Sequence, residues 1–180
     1  MSNAETSAPV GTEVCVGILI LVPEPLAGRV RALRESVADP EGAEIPAHVT
    51  LVPPTPLPES VLPAVMDHLE AVAAKNAPFE LRLCGTDSFQ PVTDVSYLKV
   101  LDGADDCDRL QDALRTGPLE GELRYPYHPH VTLAHDVPQA GLDRALAAMG
   151  SVDERFTVDR FVLFVDRGEW QRAAEFHLAD

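Results

Sequence analysis

His48-Val49-Thr50-Leu51 recurs residue for residue as His130-Val131-Thr132-Leu133. Each copy is short and β-branched. Pro46 and the Pro53-Pro54 pair bound the first, and Pro129 precedes the second, so both read as strands. Along a strand, residues i and i+2 point to one face. His48 and Thr50 therefore share a face, as do His130 and Thr132. Val49, Leu51, Val131 and Leu133 then plug a core behind them.

The order of elements around the two copies also repeats. Val14 to Val22 is an unbroken apolar run stopped by Pro23 and Pro25, the pattern of a buried strand. From Pro25 to Ala38, Leu26, Val30, Leu33 and Val37 recur at helical spacing, with Arg29, Arg31 and Arg34 between them. Asp39 to Gly42 is a loop, Pro58 to Lys75 a second helix, and Phe79 to Cys84 a half-buried strand. The second pass has a strand over Val95–Leu101 and a helix over Asp105–Arg115 with Gly117 as its cap. A loop from Thr116 to Pro129 leads to the strand His130–Ala134. A helix marked by Leu142, Leu146 and Met149 follows, closed by Gly150. Phe156–Val165 and Trp170–Leu178 complete the strands.

The repeat units are approximately 14–88 and 94–166, displaced, like the two tetrapeptides, by about 80 residues. Neither unit has a Gly-rich phosphate loop, which excludes Rossmann and P-loop folds. The pattern predicts an α+β fold of two pseudo-symmetric lobes with antiparallel sheets. Residues 1–12 are small and polar and read as a disordered tail before a single bilobal domain, 13–180.

The 180 residues carry a formal net charge of −15, with 46% apolar content. That content excludes wholesale disorder, and the acidity argues against a protein that grips long nucleic acid through its phosphates. Val14 to Val22 is too short to span a bilayer, and the start lacks a basic, apolar leader. Cys15, Cys84 and Cys107 form no CxxC pair and sit in apolar patterns. They read as buried thiols in a reducing cytosol, so a cytoplasmic monomer is expected.

Each tetrapeptide offers one imidazole and one hydroxyl about 7 Å apart along the strand. Two such strands around a pseudo-twofold axis make a His, Thr, His, Thr site suited to a phosphodiester. One neutral histidine takes a proton from the attacking oxygen, and one protonated histidine gives a proton to the leaving oxygen. The threonine hydroxyls donate to the non-bridging phosphate oxygens. The scheme requires no metal and no cofactor. His128, His130, His135 and Asp136 lack the closing partner a zinc site needs. The rings of Tyr125, Tyr127, His128 and Phe89 could stack on a nucleobase or simply pack. Tyr97 and Lys99 share a strand face that reaches the cleft, unless Lys99 is merely solvated.

Paired His-x-Thr motifs, one per half of a chain with this element order, resemble the 2H phosphoesterase superfamily. That group includes the 2′-5′ RNA ligase-like proteins and cyclic phosphodiesterases. The resemblance covers Val14 to Leu178. It implies two sheets flanking a water-filled cleft, with helices outside. It also implies metal-independent hydrolysis of 2′,3′-cyclic phosphates or related 2′-linked nucleotide phosphodiesters, and in some members reversible 2′-5′ ligation. The catalytic pair carries over to His48 and His130, and the phosphate-binding hydroxyls to Thr50 and Thr132. Many relatives have a basic residue soon after the second motif, where this chain has His135. The expected partner is a small nucleotide or an RNA-end phosphodiester, with no membrane. Large nucleic acid is disfavoured unless Arg82, Lys99 and Arg124 form a positive strip in the cleft. A phosphate-binding module without turnover and an RNA end-processing ligase are the alternatives.

Overall fold

The computed structural model describes residues 12–42 and 44–179. The tail assigned to residues 1–12 lies outside them except for Thr12. In chain order the elements are β1 (Glu13–Leu21), α1 (Leu26–Ser36), β2 (His48–Pro58), a 3-10 turn (Glu59–Val61), α2 (Leu62–Ala73), β3 (Phe79–Ser88) and β4 (Val95–Asp102). Then come α3 (Ala104–Leu114), a 3-10 turn (Gly117–Leu119), β5 (His130–His135), α4 (Gln139–Met149), β6 (Asp153–Val158), β7 (Arg160–Asp166) and β8 (Trp170–His177).

All described strand pairings are antiparallel, in the order β6-β3-β4-β5-β2-β1-β7-β8. The pseudo-symmetry divides this row between β5 and β2. The expected α+β architecture is present, and the two lobes' sheets join edge to edge through one rung, Val49 opposite Val131. The two sequence units also exchange strands. β3, from the first unit, pairs with β4 of the second, and β7, from the second, pairs with β1 of the first.

Alternation along the central strands decides what faces the site. In β2, Val49 and Leu51 are fully buried, whereas His48 and Thr50 are half-buried; β5 repeats this with Val131, Leu133, His130 and Thr132. The buried set joins one core with Val30 and Leu33 of α1, Leu69 of α2, Leu110 of α3 and Leu142 of α4. The helices therefore cover the face opposite the histidines. Burying each Val or Leu is worth about 1.5–3 kcal/mol, and a one-residue slip would forfeit all four plugs. After Glu13, β1 is an apolar run because both its faces are covered. Ile18 and Ile20 enter the main core, while Leu19 and Leu21 meet Val162, Phe164 and Trp170 on the other side.

Several boundaries differ from the sequence expectation for physical reasons. β2 runs through its prolines to Pro58. Pro56 and Pro58 recur at the strand period, so their missing N–H groups fall on one edge. Since Cys15 still pairs with Pro56 and Glu13 with Pro58, that edge faces away from β1. β3 continues past Cys84 through Gly85 (φ 69°), where the pairing with β4 shifts register. The region Phe156–Val165 divides at Asp159 into two strands at distant places in the sheet. Gly117 opens a 3-10 turn instead of capping α3. Of the cysteines, Cys107 is buried and Cys15 and Cys84 are half-buried; all three are free thiols.

Gly103 turns β4 into α3 with φ 86°, and a Cβ there would stand 2.6 Å from the Glu80 carbonyl oxygen. Gly103→Ala is expected to lower unfolding stability by at least about 2 kcal/mol, read by denaturant melts. An unchanged midpoint would show that this turn relaxes freely.

Candidate active site

Antiparallel register around the Val49–Val131 rung sets His48 across from Thr132 and Thr50 across from His130. Each imidazole therefore stands beside the hydroxyl of the other motif. All four side chains line one cavity of about 290 Å³, together with Arg34, Ile45, His135 and Trp170. The expected convergence is present, and the histidines lie on neighbouring strands at the seam instead of on facing walls.

The two rings are held alike. His48 Nδ1 is 2.8 Å from the Pro46 carbonyl oxygen, and His130 Nδ1 is 2.7 Å from that of His128. A carbonyl only accepts, so Nδ1 carries the proton in both rings and Nε2 is left for chemistry. The shared element is thus the carbonyl two residues upstream, not an upstream proline.

Burial in the cleft pushes the His48 imidazole down from its usual 6.5 to about 4. The hydrogen bond to Pro46 opposes this fall, and the charges of Arg34 and His130 add to it. Burial also lowers His130, with the His128 carbonyl opposing and the neighbouring His128 ring adding. Burial therefore favours the neutral form of both rings.

The weaker sequence candidates fall into three places. Phe89 stacks on the buried Tyr97 at 4.2 Å between ring centroids, and the His130 ring stands edge-on to both. This pair fixes the His130 ring and leaves Tyr97 no open face toward a ligand. Tyr127 donates its hydroxyl to the Thr50 carbonyl (3.0 Å), tying the loop before the second motif to the strand of the first. Its ring, with Phe89, Tyr125, His128 and Leu123, lines a second cavity of about 480 Å³ that shares Thr50 and His130 with the first. His135 lines the first cavity, with its ring nitrogens near Glu41 (3.6 Å) and Asp136 (3.4 Å).

The proposed positive strip is not assembled. Arg82, on β3, is engaged by Asp153 of β6 (2.7 Å) and Asp102 of β4, and Lys99 reaches over Gly85. Arg124 sits over the Tyr125 ring in the second cavity. Among the described residues, the Lys or Arg side chain lining the first cavity is Arg34, which the sequence places among the polar positions of its helix. Its signal was position: with Val30, Leu33 and Val37 it completes the 3–4 spacing of the buried stripe. Asp39, which holds Arg34, and Trp170 also escaped notice. Among the described residues, no three His, Cys, Asp or Glu side chains are grouped to hold a metal ion.

Known proteins share this arrangement of elements. The profile described as "2'-5' RNA ligase superfamily" matches residues 22–170. A Bacillus cytotoxicus protein named "Putative phosphoesterase" is 30% identical over 167 residues, covering 91% of this chain and 96% of that protein. A Geobacillus kaustophilus protein of the same name is 30% identical over 158 residues, covering 86% and 90%. Among solved structures, apo LigT of Escherichia coli superposes with TM-score 0.65 at 17% identity, covering 93% of this chain and 99% of that one. A Thermus thermophilus protein, TT0787, gives TM-score 0.62 at 24% identity, covering 91% and 97%. At these identities the structural likeness is one of fold. The profile match spans both His-x-Thr strands and most of the sheet, and it shows that the chain belongs to the 2′-5′ RNA ligase superfamily.

Proposed function

We propose that this protein hydrolyses small phosphodiesters, and 2′,3′-cyclic nucleotides or RNA-terminal cyclic phosphates in particular, by acid/base catalysis between His48 and His130. The supporting observation is the mirrored tautomer. Each ring keeps Nε2 free, on a strand whose register sets it across from the other motif's threonine, and all four side chains line a single cavity. One Nε2 takes the proton of an attacking water. The other, protonated, delivers its proton to the departing ribose oxygen. Thr50 and Thr132 donate to the non-bridging oxygens as charge builds on phosphorus. The pseudo-twofold makes the two histidines equivalent in geometry, so the direction of attack decides which is base and which is acid.

The adjoining cavity supports a nucleotide substrate. It is lined mainly by rings and apolar side chains, and it opens beside Thr50 and His130. Such a surface suits a nucleobase. The fold neighbour LigT has been crystallised with 3′-AMP (TM-score 0.63 at 16% identity). Free thiols fit a cytoplasmic setting, and no described helix is long and apolar enough to cross a membrane.

The pH dependence follows from the lowered imidazoles. Deprotonation of the base governs the acid limb of kcat/KM, and loss of the acid's proton governs the alkaline limb. With His48 near 4 and His130 also below 6.5, the free-enzyme optimum falls on the acid side of 6.5. A bound anionic phosphate raises both groups, so the kcat profile lies at higher pH. A pH series with a 2′,3′-cyclic nucleotide should show this bell; a profile flat from about pH 5 to 8 would contradict it.

His48→Ala and His130→Ala are each expected to lower kcat by roughly 100- to 10,000-fold, each abolishing one limb of the bell. The assay should screen 2′,3′-cyclic nucleotides beside 2′-5′ and 3′-5′ dinucleotides. Nucleotide binding without turnover by the wild type, surviving loss of both histidines, would instead identify a binding module.

Turnover should also survive EDTA. Complete loss restored by zinc would overturn the two-histidine scheme.

A further inference from the structure

Arg34 leaves the last turn of α1 with its side chain only 7% exposed, yet it lines the same cavity as both His-x-Thr motifs. Its Nε and Nη2 donate to the two oxygens of Asp39, at 2.9 and 3.1 Å. Each of those oxygens also accepts a backbone N–H. Oδ1 takes the one from Glu41 (2.9 Å) and Oδ2 the one from His135 (3.0 Å). The carboxylate is thus saturated by four donors. The guanidinium is not, because Asp39 occupies only its Nε–Nη2 edge, and Nη1 has no hydrogen-bond partner among the described residues.

A buried cation is costly unless its donors are used. Here half of a rigid fork is spent on holding the group in place, and the other half borders a cavity rich in phosphate donors. The His135 amide ties Asp39 to β5, the strand of the second motif. An arginine from the first sequence unit is thereby locked against the second. Because the guanidinium is planar, fixing one edge also fixes where the other points. Glu41, Glu44 and His135 also line this cavity, and the two glutamates are exposed, so water screens them more than it screens Arg34.

We propose that Arg34 binds the substrate phosphoryl group through its Nη1 edge, with Asp39 as its positioning residue. This rests on the reading of the cavity as a phosphodiester site and names the group that neutralises the charge there. The threonines supply neutral donors, and the histidines are committed to proton transfer. Arg34 brings a cationic guanidinium fork to the cavity wall. A charge-assisted, bidentate contact strengthens as negative charge gathers on the non-bridging oxygens.

Inorganic phosphate is the probe, because it binds without turnover. By calorimetry, Arg34→Gln should weaken phosphate binding roughly tenfold or more. It should also lower kcat/KM for a cyclic phosphate by roughly 100-fold. Arg34→Lys should recover part of both, since it restores the charge without the fork. A folded Arg34→Gln protein that binds phosphate as the wild type does would reduce Arg34 to a staple for the loop after α1. If Arg34→Gln does not fold, wild-type crystals grown in phosphate decide. A phosphate oxygen within hydrogen-bond reach of Nη1 supports the proposal. Phosphate seated on Thr50 and Thr132 out of contact with Arg34 overturns it. Phosphate held by Arg34 in a protein that hydrolyses no cyclic phosphate would sink the reaction and leave this contact standing; turnover indifferent to Arg34→Gln would do the reverse.

Discussion

Val49 against Val131 is the one backbone rung that joins the two halves of the sheet, and the site hangs from it. Strand side chains alternate, so burying Val49, Leu51, Val131 and Leu133 in the helix-covered core turns His48, Thr50, His130 and Thr132 outward together. The same pairing register then sets each histidine opposite the other strand's threonine. Hydrophobic burial and catalytic geometry are therefore one constraint. Any slip that misplaced the imidazoles would also expose four plugs, which protects the site from small errors of folding.

The chemistry depends on what the cleft does to charge. Desolvation lowers both imidazoles and favours their neutral forms, and each Nδ1–H is anchored on a carbonyl, which leaves Nε2 as the free nitrogen of each ring. Under the proposed function, an entering phosphate anion supplies the opposite charge that lets one ring hold a proton, and the site becomes a matched acid and base only when occupied. The overall charge of −15 is no obstacle at this scale, because most carboxylates are exposed and screened while Arg34 is buried beside the motifs. Membership in the 2′-5′ RNA ligase superfamily fits this arrangement, and an aromatic-lined cavity adjoins the site beside His130.

Much of this was legible in the residues. The repeated tetrapeptide carried the strand pair, its facing and its four polar groups, because period-two alternation is local information. The exchange of β3 and β7 between lobes was not legible, since strand partners are chosen by long-range packing that leaves no mark at short spacing. The extension of β2 hid behind Pro56 and Pro58, which read as breakers singly and as a tolerated edge only when their common spacing is noticed. In the sequence Arg34 stands with Arg29 and Arg31 between the apolar positions of α1. Its role depends on Asp39 and on the amide of His135, residues that meet it only in three dimensions.

The claim that two distant imidazoles form one phosphate site is tested most directly by NMR of the histidine side chains while inorganic phosphate is added. The account predicts that the His48 and His130 ring signals move together, with a common dissociation constant, and that both titration midpoints rise when phosphate is bound. Movement of one ring alone, or of neither at saturating phosphate, would contradict it.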